Sequence, residues 1–323
     1  MHKSKSVFLI IMLYGTILTV SSNNWISMWM GLEINMMAFI PLISNKNKNS
    51  STAMMIYMLT QSISSMMLMF SIIMYNLTKT EIFTNLMLIS LLIKLGAAPF
   101  HMWLPEILTK MSWSSAAILM TWQKIAPLMM MNTIEYNNKI MYTAIMMSII
   151  VGTVGGLNMM SMRKILGYSS INHLGWMMSL TKIKNGWTVY LMIYSMMIIT
   201  LCWMFNQYNM IHINQINNIN MSMTEKLNYF IAMLSLGGLP PFLGFMPKWL
   251  VIHNMINSNM IMLTTMIMFS LLSLYYYLRM MTSMMMNLSM SNKWIMIKSN
   301  INMIVMMMMM NLSLPLIMIM NLI

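Results

Sequence analysis

The sequence predicts an all-α fold, a polytopic membrane bundle of about eleven transmembrane helices in which two or three helices are broken. Three observations lead to this prediction. Only 7% of the 323 residues are charged and 59% are hydrophobic, whereas soluble proteins carry about 25% charged residues. Apolar stretches of membrane-spanning length recur along the chain. Two of them are interrupted by the same ten-residue pattern, Gly-x-x-Pro-Phe-x-x-x-x-Pro.

The predicted spans follow one another with short polar connections. Residues 1–323 therefore form a single membrane domain, with a first half at 25–132, a second half at 140–281 and a terminal span at 301–323. The predicted spans are 6–22, 25–44, 53–75, 84–104, 113–132, 140–158, 163–181, 187–206, 227–253, 260–281 and 301–323.

The repeated pattern lies near 96–105 in the fourth span and near 238–247 in the ninth. Its matched positions are Gly96, Pro99, Phe100 and Pro105 in the first copy, and Gly238, Pro241, Phe242 and Pro247 in the second. Proline removes a helical hydrogen bond, and lipid cannot satisfy the backbone groups that are left free. We therefore expect both breaks to be buried in protein or to line a wet cavity. Pro127, three residues after Lys124, predicts a third break in the fifth span.

The two copies are predicted to run through the membrane in opposite directions, because an odd number of steps separates span four from span nine. Paired breaks in an inverted repeat are typical of secondary transporters, in which they form the transport site. The breaks thus indicate where ions or protons are bound and transported.

Four charged residues lie well inside predicted spans: Glu33, Lys94, Lys124 and Lys248. Each isolated charge at the centre of a span costs about 2.5–3.5 kcal/mol, so these groups are expected to pair, to be hydrated or to be partly neutral. A Lys–Glu pair that opens and closes changes the proton affinity of both groups, as a proton relay requires. The alternative is that the lysines reach an interface or form static ion pairs.

Two histidines are further candidates. His173 lies in a polar patch of span seven and His101 lies in the first break. Histidine carries protons near neutral pH, but a hydrogen bond between helices is an equally good interpretation of either position.

Several function classes are excluded by what the sequence lacks. The single cysteine, Cys202, lies in an apolar segment, so we expect a small buried side chain and no cysteine-ligated cluster. No Gly-x-Gly-x-x-Gly motif for nicotinamide or flavin dinucleotides is present. The net charge of +13 comes from residues spread across the loops, which argues against nucleic-acid binding.

The 57 methionines, with abundant Ile, Asn and Lys, are typical of an AT-rich gene in a code where ATA means methionine. This composition indicates an organelle-encoded protein. Methionine is flexible and apolar and replaces Leu or Ile at small cost, so we expect the extra methionines at lipid-facing positions.

The basic residues predict the orientation through the positive-inside rule. Eleven crossings put Lys3, Lys5, Lys46, Lys48, Lys110, Arg163, Lys164, Lys226, Arg279, Lys293 and Lys298 on the side of the N-terminus, and Lys79, Lys139, Lys182 and Lys184 on the other. In a mitochondrion this places the N-terminus in the matrix and the C-terminus in the intermembrane space.

Five motifs carry a family resemblance that runs in order from about residue 10 to 280. They are Met30–Asn35, Lys94–His101, Trp122–Pro127, Ser169–Trp176 and Leu239–Trp249. They resemble the antiporter-like membrane-arm subunits of respiratory complex I, the NADH:ubiquinone oxidoreductase, which are related to Mrp-type cation/proton antiporters.

The resemblance implies an inverted-repeat antiporter-like core in the mitochondrial inner membrane, in contact with its lipids and with other membrane-arm subunits, including other antiporter-like ones. It implies that proton translocation here is coupled to electron transfer in partner subunits, which would hold NADH, FMN, iron–sulfur clusters and ubiquinone. By the same resemblance Glu33 pairs with Lys94, Lys124 is the central relay, Lys248 is the centre of the far half and His173 joins them. Two alternatives stay open: a stand-alone cation/proton antiporter and a mainly structural spacer.

Overall fold

The computed structural model describes residues 2–44, 48–134, 138–181, 186–218, 222–256 and 259–286, and the short pieces 304–305, 307–309 and 313. Within these residues the secondary structure is helical apart from one β-bridge between Ser161 and His212. The α-helices are α1 (His2–Ser21), α2 (Trp25–Ile43), α3 (Lys48–Thr78), α4 (Glu81–Leu95), α5 (Trp103–Lys110), α6 (Trp113–Met120), α7 (Ile125–Thr133), α8 (Asn138–Leu157), α9 (Met162–Ser179), α10 (Gly186–Gln207), α11 (Met223–Gly237), α12 (Phe245–Met255) and α13 (Met260–Met286). Two 3-10 segments cover Trp122–Lys124 and Ile213–Asn218.

The first ten predicted spans each coincide with one helix or with two helices in sequence. Spans four, five and nine are the divided ones, and they correspond to α4 with α5, α6 with α7, and α11 with α12. Five helices, α2, α3, α8, α10 and α13, are long and apolar enough to cross a membrane. The span predicted at 301–323 lies outside the described residues apart from a few positions, so the number eleven stays a prediction.

The first break, residues 96–102, begins where Gly96 ends α4 in the left-handed conformation with φ 69°. Glycine adopts this conformation without the steric cost that a side chain brings. The Gly96 N–H donates to Ile93 O at 3.1 Å, and the Ala97 N–H donates to Leu92 O at 3.1 Å. This pair of bonds is the Schellman motif, which satisfies carbonyls at the end of a helix.

The second break, residues 238–244, repeats this geometry. Gly238 ends α11 with φ 77°. Its N–H donates to Ser235 O at 3.0 Å, and the Leu239 N–H donates to Leu234 O at 3.3 Å. The two copies therefore share their hydrogen bonds as well as their sequence pattern.

Three prolines that the sequence analysis assigned to breaks lie just inside the helix that follows each break. Pro105, Pro127 and Pro247 each occupy the third position of the following helix, α5, α7 or α12. The first backbone N–H groups of a helix have no helical acceptor, so proline costs little there. The three spans are divided as predicted, and these three prolines lie in the half-helix that follows each break rather than in the break itself. In spans four and nine a glycine ends the first half-helix, and Pro99 and Pro241 lie inside the breaks.

Helix α9 is the buried centre of the bundle although it is one of the more polar helices. All of its 18 residues except Arg163, Lys164 and Tyr168 are buried. It packs against α5, α8, α10 and α12. Gly152 of α8 allows a close approach, because a Cβ at this position would lie 2.6 Å from the backbone nitrogen of Asn172. Polar side chains on α9 are thus enclosed by protein on every side.

The methionines occur on both the inside and the outside of the bundle. Met66 is 70% exposed on the outer surface, whereas Met130 and Met177 are fully buried. The expectation that the extra methionines face only lipid is therefore wrong. An unbranched, flexible side chain fills irregular gaps in a core, so methionine is accepted inside as well. Cys202 is buried and free, as predicted.

We predict that Gly238→Ala destabilises the chain by about 1–2 kcal/mol, because a side chain at φ 77° is strained. The added Cβ would also lie 2.8 Å from the Lys248 ammonium nitrogen. The matched control is Gly237→Ala, where the nearest atom lies 3.5 Å from the new Cβ. The measurement is the thermal unfolding midpoint of the full chain in detergent, and equal midpoints for the two variants would contradict the prediction.

Candidate functional site

The structure brings Glu33 and Lys94 together. Glu33 lies in the middle of α2 and Lys94 in the last turn of α4, and the Lys94 Nζ is 3.9 Å from the Glu33 Oε1. The lysine side chain is 3% exposed and the glutamate side chain 22%. The negative end of the α4 dipole also favours a cation in its last turn. The two residues therefore form an intramembrane charge pair in which the glutamate side chain is the more exposed partner.

The neighbouring backbone is held by side chains from other helices. Gln61 of α3 donates from Nε2 to Lys94 O at 3.3 Å. Trp103 of α5 donates from Nε1 to Ile93 O at 3.2 Å. These bonds satisfy carbonyls at the end of α4 that the helix itself leaves free. The first break is thus satisfied by protein groups, as its place in a membrane requires.

A cavity of about 20 Å³ separates Lys94 from Lys124, and both lysines line it. A cavity of this size holds roughly one water molecule. Its other polar lining residues are Asn35, Tyr57, Gln61 and Gln123. The amide of Gln123 donates to Asn35 Oδ1 at 3.0 Å. A single bridging water could therefore connect two lysines that belong to different broken spans.

Lys124 lies in the 3-10 turn between α6 and α7, and it is 2% exposed. Its ammonium donates to Ser170 O of α9 at 3.1 Å and lies 4.9 Å from the centre of the Tyr194 ring. Within the described ranges no carboxylate oxygen lies within 4.0 Å of this ammonium. A backbone carbonyl and an aromatic face thus take the place of an anion.

Lys248 lies in the first turn of α12 and is 5% exposed. Its ammonium donates to Gly237 O, the carbonyl at the end of α11, at 2.7 Å. The same nitrogen lies 5.7 Å from the centre of the Trp176 ring. As at Lys124, the described residues place no carboxylate oxygen within 4.0 Å. The inward end of a half-helix supplies the negative partial charge instead.

Helix α9 connects the two lysines. Ser170, His173 and Trp176 are spaced three residues apart, so each is a neighbour of the next on the helix surface. Ser170 contacts Lys124 and Trp176 contacts Lys248. The two contacts are six residues apart in sequence, which is about 9 Å along the helix axis. His173 thus lies midway between the contacts of the two ammonium groups.

The His173 ring is buried and held by tyrosines of α10. Its Nδ1 is 2.8 Å from the Tyr190 hydroxyl, and its ring centre lies 4.9 Å from that of Tyr194. The Nε2 atom is buried and has no hydrogen-bond partner among the described residues. One ring nitrogen is therefore engaged by Tyr190, and the other has no acceptor or donor among the described residues.

His101 does not join this group. It lies in the first break, where Nδ1 is 3.1 Å from Pro99 O and the ring centre is 6.5 Å from that of Tyr168. Its position suits a role in shaping the break. Within the described residues no three His, Cys, Asp or Glu side chains cluster as metal ligands.

Comparison with known proteins places this geometry in a family. Residues 22–274 match the family described as NADH:quinone oxidoreductase/Mrp antiporter, transmembrane. The chain is 45% identical over 314 residues to NADH-ubiquinone oxidoreductase chain 2 of Anopheles gambiae, covering 93% of this chain and 91% of that one. The chain belongs to the NADH-ubiquinone oxidoreductase chain 2 family. It is accordingly a multi-pass membrane protein.

Solved structures show that this fold is shared beyond the chain 2 family. A chain of respiratory complex I from Thermus thermophilus with bound aureothin superposes with a TM-score of 0.81 at 21% identity, over 87% of this chain and 70% of that one. A chain of the Mrp complex from Dietzia superposes with a TM-score of 0.76 at 16% identity, over 85% and 59%. The antiporter-like architecture expected from the motifs is thus confirmed as a fold.

Sequence reasoning missed the polar residues that connect the charged ones. Gln123 directly precedes Lys124, and Asn35 follows Glu33 by two residues, in two of the five motifs that carry the family resemblance, so this proximity was a signal in the sequence. Tyr190 and Tyr194 carry no comparable signal, because tyrosine in an apolar helix is also typical of a membrane interface.

We predict that Glu33→Gln destabilises the chain more than Lys94→Met. Removing Glu33 leaves an ammonium that is 3% exposed without its anion, whereas removing Lys94 leaves a carboxylate side chain that is 22% exposed and therefore less completely desolvated. We expect a loss of about 1–3 kcal/mol for Glu33→Gln. Combining the two substitutions should recover part of that loss.

The measurement is the thermal midpoint of the full chain in detergent for both single variants and the double variant. The pair is not energetically coupled if the effects of the two substitutions simply add.

Proposed function

We propose that this chain is a core membrane-arm subunit of a proton-translocating NADH:ubiquinone oxidoreductase, respiratory complex I, and that it moves protons along a route through Glu33, Lys94, Lys124, His173 and Lys248. The observation that carries the proposal is the connection between three buried lysines. Lys94 and Lys124 line one cavity, and Lys124 and Lys248 both contact helix α9, on either side of His173 along its axis.

The chemistry of the route follows from how each ammonium is held. Glu33 favours the protonated form of Lys94, so separating the pair releases a proton from the lysine toward the cavity. Among the described residues, the partners of Lys124 and Lys248 are carbonyls and aromatic rings, and these stabilise an ammonium less than a carboxylate does. Both lysines are therefore suited to gain and lose a proton as neighbouring charges change.

The proposed route passes from the first half, residues 25–132, to the second half, residues 140–281. The matching hydrogen bonds of the two breaks support a real structural repeat. The lysines occupy different positions in the two copies, because Lys94 precedes the first break while Lys248 follows the second. Helix α9 belongs to the second half and contacts Lys124, the central lysine of the first half. It therefore connects the two halves of the proposed route.

The same proposal includes the surroundings of the chain. The organelle-type composition supports the mitochondrial inner membrane, and the distribution of basic residues supports an N-terminus in the matrix and a C-terminus in the intermembrane space. The partners are other membrane-arm subunits, among them antiporter-like ones, and membrane lipids, but not nucleic acid. NADH, FMN, iron–sulfur clusters and ubiquinone belong to partner subunits, and this chain contributes no redox site.

We predict that Lys124→Met in the assembled complex abolishes most proton translocation and lowers NADH:quinone turnover, because the central proton carrier is lost. Lys124→Arg should fail as well, since arginine keeps the positive charge but does not release its proton in proteins. Lys79→Met, at an exposed position outside the helices, is the matched control and should leave both activities unchanged.

The experiment measures proton uptake into vesicles together with NADH oxidation, after assembly has been checked on native gels. Normal coupled activity of Lys124→Arg would contradict the relay. Loss of assembly in both Lys124 variants would favour a structural spacer. Cation/proton exchange by the purified chain alone would favour a stand-alone antiporter.

A further inference from the structure

A polar cavity of about 520 Å³ lies at the ends of several helices, away from the proposed proton route. It is bounded by the end of α5 and the start of α6, by the start of α9 and by the turn after α10. Arg163 and Lys110 line it, together with side chains such as Ser112, Asn206 and Asn209. The lining contains no carboxylate. The cavity therefore presents positive charge and neutral hydrogen-bond donors.

Arg163 is fixed in this cavity by two contacts. Its Nη1 donates to Thr109 O at 3.0 Å, and the guanidinium lies 5.0 Å from the centre of the Trp113 ring. Its Nε is buried and has no hydrogen-bond partner in the described part of the chain. Lys110 already forms a salt bridge with Glu106, whose Oε1 lies 3.1 Å from the lysine ammonium. The arginine is thus the stronger candidate to bind an anion.

An apolar groove of about 480 Å³ lies directly beside the polar cavity. It runs between α1, α6 and α10, with Leu13, Ala117 and Ile199 among its lining residues. Trp113 and Asn206 line both the groove and the polar cavity. The two cavities therefore share part of their wall, and the first is cationic whereas the second is apolar.

We propose that the polar cavity and the apolar groove form one binding site for an anionic phospholipid. The phosphate contacts Arg163 and Lys110, and an acyl chain lies in the groove between α1, α6 and α10. Charge complementarity selects the anionic headgroup, and basic pockets between transmembrane helices bind such lipids. The apolar compartment selects a lipid over a free phosphate ion, which has no group to fill it. The site depends on the membrane location of the chain and not on the proton route.

The test uses the full chain in phosphatidylcholine nanodiscs that contain a small fraction of a photoactivatable cardiolipin or a photoactivatable phosphatidylcholine. Mass spectrometry maps the labelled peptides. We expect the cardiolipin probe to label segments 113–122 and 199–206 in preference to the phosphatidylcholine probe. Arg163→Gln should lower this labelling about tenfold, as expected for the loss of a charge-assisted hydrogen bond. The adjacent control Lys164→Gln, outside the cavity lining, should not change it.

A second pair of variants tests the groove without altering charge. Ala117→Trp fills the groove and should prevent labelling of these segments, whereas Met147→Trp, at an exposed position of α8, should not. If Arg163→Gln does not reconstitute, Lys110→Gln at a partly exposed position replaces it, with a smaller decrease expected.

Equal labelling by the two lipid probes, or unchanged labelling in Arg163→Gln, would overturn the proposal. Inorganic phosphate is tested separately by equilibrium binding. If it binds the Ala117→Trp chain as tightly as the unmodified chain and suppresses the cardiolipin labelling of the latter, the site belongs to a free anion.

Discussion

The structure depends on how a helical membrane bundle accommodates three buried lysines. Among the described residues only Lys94 has a carboxylate within 4.0 Å in the bundle interior. Lys124 and Lys248 are held by backbone carbonyls and aromatic rings. Free carbonyls become available inside a membrane only where a helix ends or where a polar helix is enclosed by protein. The broken helices and the buried helix α9 therefore supply the acceptors that the buried lysines need.

The glycines provide the helix ends that this arrangement needs. Gly96 and Gly238 both adopt positive φ and end their helices with the same pair of hydrogen bonds. Each places the negative end of a half-helix close to a lysine, Lys94 in one case and Lys248 in the other. A continuous helix in the second place would use the Gly237 carbonyl in its own hydrogen bonds, and the Lys248 ammonium would lose this acceptor. The membrane architecture and the proposed chemistry are thus linked through two backbone positions.

Sequence alone predicted the fold class and the positions of the breaks, because composition, span length and the Gly/Pro pattern are local signals. It also placed Glu33, Lys94, Lys124 and Lys248 inside the membrane. It did not show that Pro105, Pro127 and Pro247 lie at the start of the helix that follows each break, since a proline in an apolar stretch does not reveal whether it ends a helix or begins one. It could not find the cavity between Lys94 and Lys124, whose lining comes from helices far apart in the chain.

The central claim is that the three lysines form one hydrated route, and ordered water along that route is its most direct test. The measurement is an experimental structure of the intact complex at a resolution that shows water molecules. The account predicts water in the cavity between Lys94 and Lys124, and waters or side chains at hydrogen-bonding distances of about 2.7–3.2 Å from Lys124 through His173 to Lys248. A dry apolar gap on either side of His173, present in every state of the enzyme, would contradict it.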